Sequence, residues 1–365
     1  MKIAQFYTQP YQVRLRTPFR SARKSYAARS GYFVWLYNSG GIYGIGEAAP
    51  LPGFSEESVR DVEQNLREIA PAVQEASLDI TENAMNPLHL ARDVYLPPSV
   101  RFALDSAALD LLARSQNISL HKLLAELQPS SVRVNGLIDL NGAEFCEERA
   151  NELVAAGFST IKMKVGRKDF DADVRCVEMV RRAVQNKIYL RLDANQAWNV
   201  QEAEVRLNRL EIYDIEYIEQ PIPRGNPEGL LALKSQTSIP IAVDEDVYPY
   251  PRAVKIIEEQ AADALILKPA ILGGYRQLHS LIMMAGERDM KIILSSALES
   301  PVARSAILQL AGAFAPENTH GLAPASYPDE TLFPTWPYHP SQGEIVLPQT
   351  AGIGVDFQPE VIGEV

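Results

Sequence analysis

In the second half of the chain, five successive apolar, strand-forming runs each end in a charged side chain. Lys162 and Lys164 close the run 160–165, Asp193 closes 188–193, Glu219 closes 215–219, Asp244 closes 239–244 and Lys268 closes 264–268. The three acids stand 26 and 25 residues apart, which leaves room for one helix between consecutive strands. Further runs at 132–139 and 292–295 flank the series, an atypical eighth begins near His320, and helical stretches such as 143–156 and 171–184 fill the gaps. Alternation of this kind predicts a parallel sheet of βα units. Seven units point to a closed barrel, with an open doubly wound sheet as the alternative.

The first part of the chain reads differently. Residues 33–37 form a strand pattern, Asn38-Ser39-Gly40-Gly41 a turn, and 42–45 the return strand of a hairpin. A loop over 46–55 follows. Ser55 with Glu56 and Glu57 behind it reads as a helix start, a capping side chain ahead of acids. From there to about Glu126 the pattern is helical, broken at Pro97-Pro98, with an apolar and buried stretch over 102–112. These changes of character divide the chain into 1–130, 131–322 and a tail, 323–365, whose Pro-, Tyr- and Trp-rich part (324–340) has no helical period and is expected to pack over a surface.

Composition narrows the class. With 35 basic and 46 acidic residues the formal charge is -11, which argues against a nucleic-acid binder and suits a soluble protein. Two cysteines, Cys146 and Cys176, make no disulfide framework for 365 residues and fall in helical segments as free thiols. Residues 1–10 lack the apolar core of a signal peptide, and no run reaches the roughly 18 apolar residues of a membrane span. The expectation is a cytoplasmic enzyme whose partner is a small-molecule carboxylate, with no nucleic acid and no membrane.

The charged strand ends carry the chemistry. In a barrel the C-terminal strand ends meet around one mouth, so Asp193, Glu219 and Asp244 converge. Each acid alone could be a helix cap. Three at this spacing, flanked by lysines, predict a cation between them, since close carboxylates repel. Oxygen-only ligands suit Mg²⁺, with Mn²⁺ as a substitute. Strand alternation puts Lys162 and Lys164 on one face, the barrel interior, where the charge of Lys162 would tune Lys164 toward a general base. Lys268 ends the apolar run Leu265-Ile266-Leu267 on the other side of the acids. The metal would bind a substrate carboxylate, one lysine would remove the α-proton, and the metal would stabilise the enediolate.

With this constellation the chain resembles the enolase superfamily over essentially its whole length. Pro50-Leu51-Pro52-Gly53-Phe54-Ser55, Arg191-Leu192-Asp193-Ala194-Asn195-Gln196-Ala197-Trp198, Glu219-Gln220-Pro221, Asp244-Glu245, Lys268-Pro269 with Gly273-Gly274, and Ser295-Ser296-Ala297-Leu298-Glu299-Ser300 resemble, within it, the o-succinylbenzoate synthases of menaquinone or phylloquinone biosynthesis. The resemblance implies an enolase-like (β/α)7β barrel with an α+β N-terminal capping domain, onto which the tail packs back. It implies a lyase: metal-dependent syn dehydration of 2-succinyl-6-hydroxy-2,4-cyclohexadiene-1-carboxylate. Lys164 would be the acid/base, and Lys268 a cation on the opposite side. Asn195 and Glu245 would orient the metal ligands, and Arg191 would contact the succinyl side of the substrate. Ser295, Ser296 and Gly273 would position its carboxylates, and Phe54 and Ser55 would belong to a lid. The match departs at Asp246, where many relatives carry a small hydroxyl, and it weakens from Gly321 onward.

The same scaffold also implies an alternative, an N-succinylamino acid racemase or dipeptide epimerase in which both lysines are acid/bases. A Schiff-base aldolase using Lys268 would leave the three acids unexplained. A non-catalytic scaffold would lack a ligand or a lysine, and none is missing.

Overall fold

Antiparallel pairing begins the chain in a computed structural model that describes residues 1–20, 25–78, 86–90, 94–127, 129–323 and 338–359. Strand β1 (Gln5–Arg20) pairs with β2 (Ser25–Tyr37), and β2 pairs with β3 (Tyr43–Ala48). The turn between β2 and β3 works as its sequence forecasts: the Asn38 side chain accepts from Gly40 N at 2.9 Å and Ile42 N at 3.0 Å, and Gly41 takes φ +79°. Helix α1 (Val59–Gln74) follows. Its cap is Ser58, in a reciprocal box with Asp61, and not the expected Ser55. Ser55 instead accepts from Leu51 N at 3.0 Å and so folds the preceding loop onto itself.

The expected helical run to Glu126 is interrupted by a short ladder, β4 (Ser77–Leu78) with β5 (Leu88–His89). Helix α2 (Pro98–Ser115) lies against β3 and is buried on nearly all sides, which is why its apolar residues show no stripe. Gly44 and Gly46 permit this approach: a Cβ there would stand 2.0 Å from Ala107 O and 1.9 Å from Ala103 O. A short helix, α3 (Leu120–Leu124), leads to the barrel.

The expected first barrel strand is divided in two, β6 (Ser131–Val134) and β7 (Gly136–Ile138), at Asn135. After α4 (Ala143–Ala155) come β8 (Thr160–Lys164), α5 (Phe170–Val184), β9 (Tyr189–Asp193), α6 (Val200–Leu210) and β10 (Ile215–Glu219). Then come α7 (Pro227–Gln236), β11 (Ile241–Val243), α8 (Tyr250–Glu258), β12 (Ala264–Leu267), α9 (Pro269–Leu272), α10 (Tyr275–Gly286), β13 (Lys291–Leu294) and α11 (Pro301–Phe314). Strands β7 to β13 form one parallel sheet in chain order. The eighth position is short, as its irregular sequence implies. There β14 (Thr319–His320) runs parallel to β6, and Gly321 bridges Ser295 beyond β13, which curls the sheet into the enolase-like barrel.

After the undescribed 324–337, where most of the Pro- and Tyr-rich stretch falls, β15 (Glu344–Val346) adds to β6. Farther on, Trp35 Nε1 donates to Phe357 O at 2.9 Å, and the Phe357 ring lies 5.1 Å from that of Phe33. Among the described residues no helix is long and apolar enough to cross a membrane.

Inside the barrel, side chains stack in layers because alternate residues of each strand face inward. Tyr217, Ala242, Ala264, Ile266 and Ile293 form an apolar layer under the mouth. Arg191 shares this lower level. It does not reach toward a substrate: Nε donates to Glu216 at 2.7 Å, Nη1 to Thr319 O at 2.8 Å, and the guanidinium lies 4.9 Å over the Tyr217 ring. The expected substrate contact at Arg191 is therefore replaced by a brace between β9, β10 and β14. Burial works against ionised Glu216, but Arg191 and Lys291 hold its carboxyl below the usual range. Arg191→Met would leave that carboxylate with Lys291 alone and should destabilise the fold by about 3 kcal/mol. The loss should shrink as pH falls through the depressed Glu216 value, since the pair stabilises only above it. Urea denaturation of both proteins at several pH values measures this.

Candidate active site

The strand register brings the charged ends into one row. Lys164 stands beside Asp193 across β8 and β9, and Asp193 beside Glu219 across β9 and β10. Asp244 immediately follows β11, and Lys268 immediately follows β12 as the residue before α9. The three acids are each at most 3 % exposed.

Each acid faces an amine. Lys162 Nζ lies 2.9 Å from Asp193 Oδ2 and 2.6 Å from Glu219 Oε1. Lys268 Nζ is seated on both oxygens of Asp244. Lys164 Nζ donates to Asn195 Oδ1 at 3.1 Å, and Asn195 N donates to Asp193 Oδ1 at 3.1 Å. Asn195 thus joins a lysine to a carboxylate, in a left-handed backbone conformation (φ 43°).

The electrostatics revise one expectation. Lys162 does not act on Lys164 as a free like charge. Burial alone would lower its pKa, but Asp193 and Glu219 outweigh burial and hold the ammonium well above its usual range. Burial likewise opposes ionised Asp193, yet Lys162 and Lys164 keep it below the carboxylate norm. Glu219 goes the other way: burial and then the Asp193 charge push it up to about 7. Glu245 is pushed up to about 8 by burial and then by Asp244.

Glu219 Oε2 and Glu245 Oε2 are buried without a hydrogen-bond partner among the described residues. Among the described residues no three acid, thiol or imidazole groups share ligand geometry; Lys162 stands between Asp193 and Glu219, and Lys268 sits on Asp244. The donor set itself, hard oxygens with an orphaned acceptor and carboxyls raised by crowding, fits a hard dication.

Two residues outside the expected set hold this rim. Gln220 Oε1 accepts from Asp244 N at 3.1 Å and Asp246 N at 3.2 Å, while its Nε2 donates to Asp246 Oδ2 at 2.7 Å. Asp246 Oδ1 accepts from Gly225 N at 2.7 Å. The departure at Asp246 is thus a tie between the loops after β10 and β11. Gln220 carried a weak signal, an amide directly after a charged strand end, and its φ of 39° marks the bend.

The expected substrate-facing residues divide. Phe54 places its ring 4.4 Å from Lys268 Nζ, so the 50–55 loop reaches the mouth. Ser296 is engaged within its own loop: Oγ donates to Glu299 Oε2 at 2.6 Å and accepts from Leu298 N at 3.0 Å. Ser295 Oγ makes a long contact, 3.4 Å, to Gly321 O. Gly273 takes φ +114° and ends α9, where a Cβ would stand 2.6 Å from Gln277 Oε1.

A barrel with acids on three adjacent strand ends and lysines on both sides defines a class. The family model described as enolase C-terminal domain-like matches residues 146–361, and that of the mandelate racemase / muconate lactonizing enzyme N-terminal domain matches 3–125. The chain belongs to the enolase superfamily. It is 29% identical over 317 residues, 86% of this chain and 90% of the relative, to an L-amino acid-D/L-Glu epimerase of Sulfurimonas denitrificans. It is 28% identical over 312 residues, 84% of this chain and 83% of the relative, to an N-succinyl-L-Arg/Lys racemase of Bacillus cereus. A dipeptide epimerase of Cytophaga hutchinsonii, solved with Mg and the dipeptide D-Ala-L-Val, superposes with a TM-score of 0.82 at 25% identity, covering 99% of this chain and 98% of that one. These relatives overturn the expected lyase class: they are named epimerases and racemases, which are isomerases, and so are other relatives that cover most of the chain.

Proposed function

We propose that this chain inverts the α-carbon of an N-acylated amino acid or dipeptide by moving a proton between Lys164 and Lys268. The observation that carries the reading is the placement of these amines on opposite sides of the acid row, at the end of β8 and just after β12. One amine accepts the α-proton on its free pair, and the other delivers a proton to the opposite face. Nothing is oxidised and no group leaves.

Asp193, Glu219 and Asp244 would hold Mg²⁺, which when bound supplies positive charge to the substrate carboxylate and acidifies the α-carbon. Asn195 would keep Lys164 aimed, through its bond to Lys164 Nζ and its backbone bond to Asp193. Phe54 would cover the Lys268 side and exclude water. The enzyme class, an isomerase, is that of the named relatives, whose substrates include N-succinyl-L-Arg/Lys and dipeptides.

The test is a panel of N-succinylamino acids and dipeptides incubated with enzyme and Mg²⁺ in D₂O, followed by proton NMR. Loss of the α-proton signal, abolished by chelator, is the expected result. Retention of that signal across the whole panel would reject the reading.

A further inference from the structure

One guanidinium joins the two loops that flank the Lys268 side of the mouth. Arg29, on β2 and 2 % exposed, donates Nη1 to Pro50 O at 2.7 Å, Nη2 to Ala49 O at 2.8 Å and Nε to Leu298 O at 3.2 Å. Ala49 and Pro50 are the root of the loop whose Phe54 covers Lys268. Leu298 belongs to the 295–300 loop after β13 and is held at φ 62°.

The same junction carries a buried anion. Glu47, at the end of β3, accepts from Ser300 N at 3.0 Å and Ala303 N at 3.1 Å, and from the hydroxyls of Ser300 and Tyr11. A carboxylate of the N-terminal domain therefore satisfies first-turn donors of the barrel helix α11. Within the 295–300 loop, Glu299 accepts from Ser296 Oγ at 2.6 Å and Ala297 N at 2.7 Å. The loop is thus internally braced; Leu267 O, Gly321 O and Glu47 hold its two ends from outside, and the fork of Arg29 holds its tip at Leu298 O.

We propose that Arg29 is a positioning residue that couples the 50–55 loop to the 295–300 loop, so that both walls of the mouth move as one. Three carbonyls around one flat cation require the guanidinium fork. A lysine offers its donors from a single point and cannot serve both loops, and a glutamine offers two donors without charge. The coupling itself stands on the hydrogen bonds; only its kinetic consequence rests on the proposed function.

The test is amide hydrogen exchange of the full chain, read by mass spectrometry, for wild type, Arg29→Gln and Arg29→Lys. The amides of Phe54 and Ser55, both bonded to Leu51 O, report on one loop. The amides of Ala297 and Leu298 report on the other. Expected is a joint rise in both segments of about tenfold or more in Arg29→Gln and less in Arg29→Lys, with β9 to β12 unchanged. A uniform rise along the chain, a rise in one loop alone, or no rise would each overturn the coupling. If Arg29→Gln does not fold, Arg29→Lys keeps the charge and decides the same comparison.

A kinetic arm uses any substrate that wild type exchanges. The expected change in Arg29→Lys is a KM raised about tenfold with kcat reduced less than about threefold, because the walls bind the substrate and do not touch the transferred proton. Equal loss in both parameters would overturn the positioning role. Inert wild type would count against the proposed function, while the exchange comparison still decides the coupling.

Discussion

Lys164→Ala should abolish interconversion of enantiomers, lowering it by about 10³-fold or more, yet leave α-proton exchange intact for one enantiomer. The remaining amine, Lys268, still faces one side of the α-carbon. It can remove and return a proton there but finds no donor on the far side. Lys268→Ala should show the mirror-image result, exchange restricted to the other enantiomer. Deuterium incorporation into each pure enantiomer, followed beside optical rotation, measures both. If either variant lost exchange with both enantiomers while keeping its fold and metal affinity, the two lysines would not divide the faces between them. Because Lys268 is seated on Asp244, Lys268→Ala also frees a buried carboxylate, so its metal affinity must be measured directly.

Glu219→Gln should cost about 10³-fold in turnover and change how stability follows pH. The sign follows from burial. In the folded protein without metal, Glu219 and Glu245 are pushed up to about 7 and about 8, above their unfolded values. Protonation therefore stabilises the fold at low pH, and that contribution is lost as pH rises through 7 and 8. Metal-free wild type should lose thermal stability from about pH 5, just above the unfolded carboxylate value, to about pH 8, and Mg²⁺ should restore more of it at the upper end than at pH 5. Glu219→Gln carries no charge to bury, so its stability should fall less over that window and its Mg²⁺ response should be weaker. Thermal denaturation with and without Mg²⁺ at four pH values checks this. A pH-independent Mg²⁺ effect, equal in the two proteins, would contradict it.

Much of the architecture was legible because two periodicities are physical. Alternation by two told which side chains of 160–164 face inward, and the helix-length gaps told that each strand end returns to the same face. Depth was not legible. Arg191 and Asp193 share a face but lie one layer apart, and only the partners Glu216 and Thr319 show that the guanidinium braces the interior. Lys162 has the same ambiguity, and its two carboxylate contacts resolve it.

Loop hydroxyls were misread for a related reason. Read from sequence, Ser296 goes to a substrate carboxylate and Ser55 to a helix cap and a lid, yet Ser296 Oγ donates to Glu299 and Ser55 Oγ accepts from Leu51 N, each within its own loop. Arg29 and Glu47 gave no signal at all, because their partners lie up to 269 residues away in the chain. The first barrel strand was read as continuous although Asn135-Gly136, a turn dipeptide, stands at the break.

The reaction class was the largest error. Under the proposed function, the lid and acid segments would report how a substrate carboxylate is held and where a proton is taken. They do not report whether a group then leaves or a proton returns to the other face. That difference lies in the substrate, and the lysine on each side serves both outcomes.

The most direct measurement follows one pure N-acylated amino acid or dipeptide enantiomer, already seen to lose its α-proton, in D₂O with enzyme and Mg²⁺. Optical rotation and α-deuterium content are read together. The account predicts that rotation at the α-centre decays to its equilibrium value while deuterium enters the α-position of the newly formed stereoisomer. Deuterium incorporation with full retention of configuration would contradict it, since the second lysine would then deliver no proton to the opposite face.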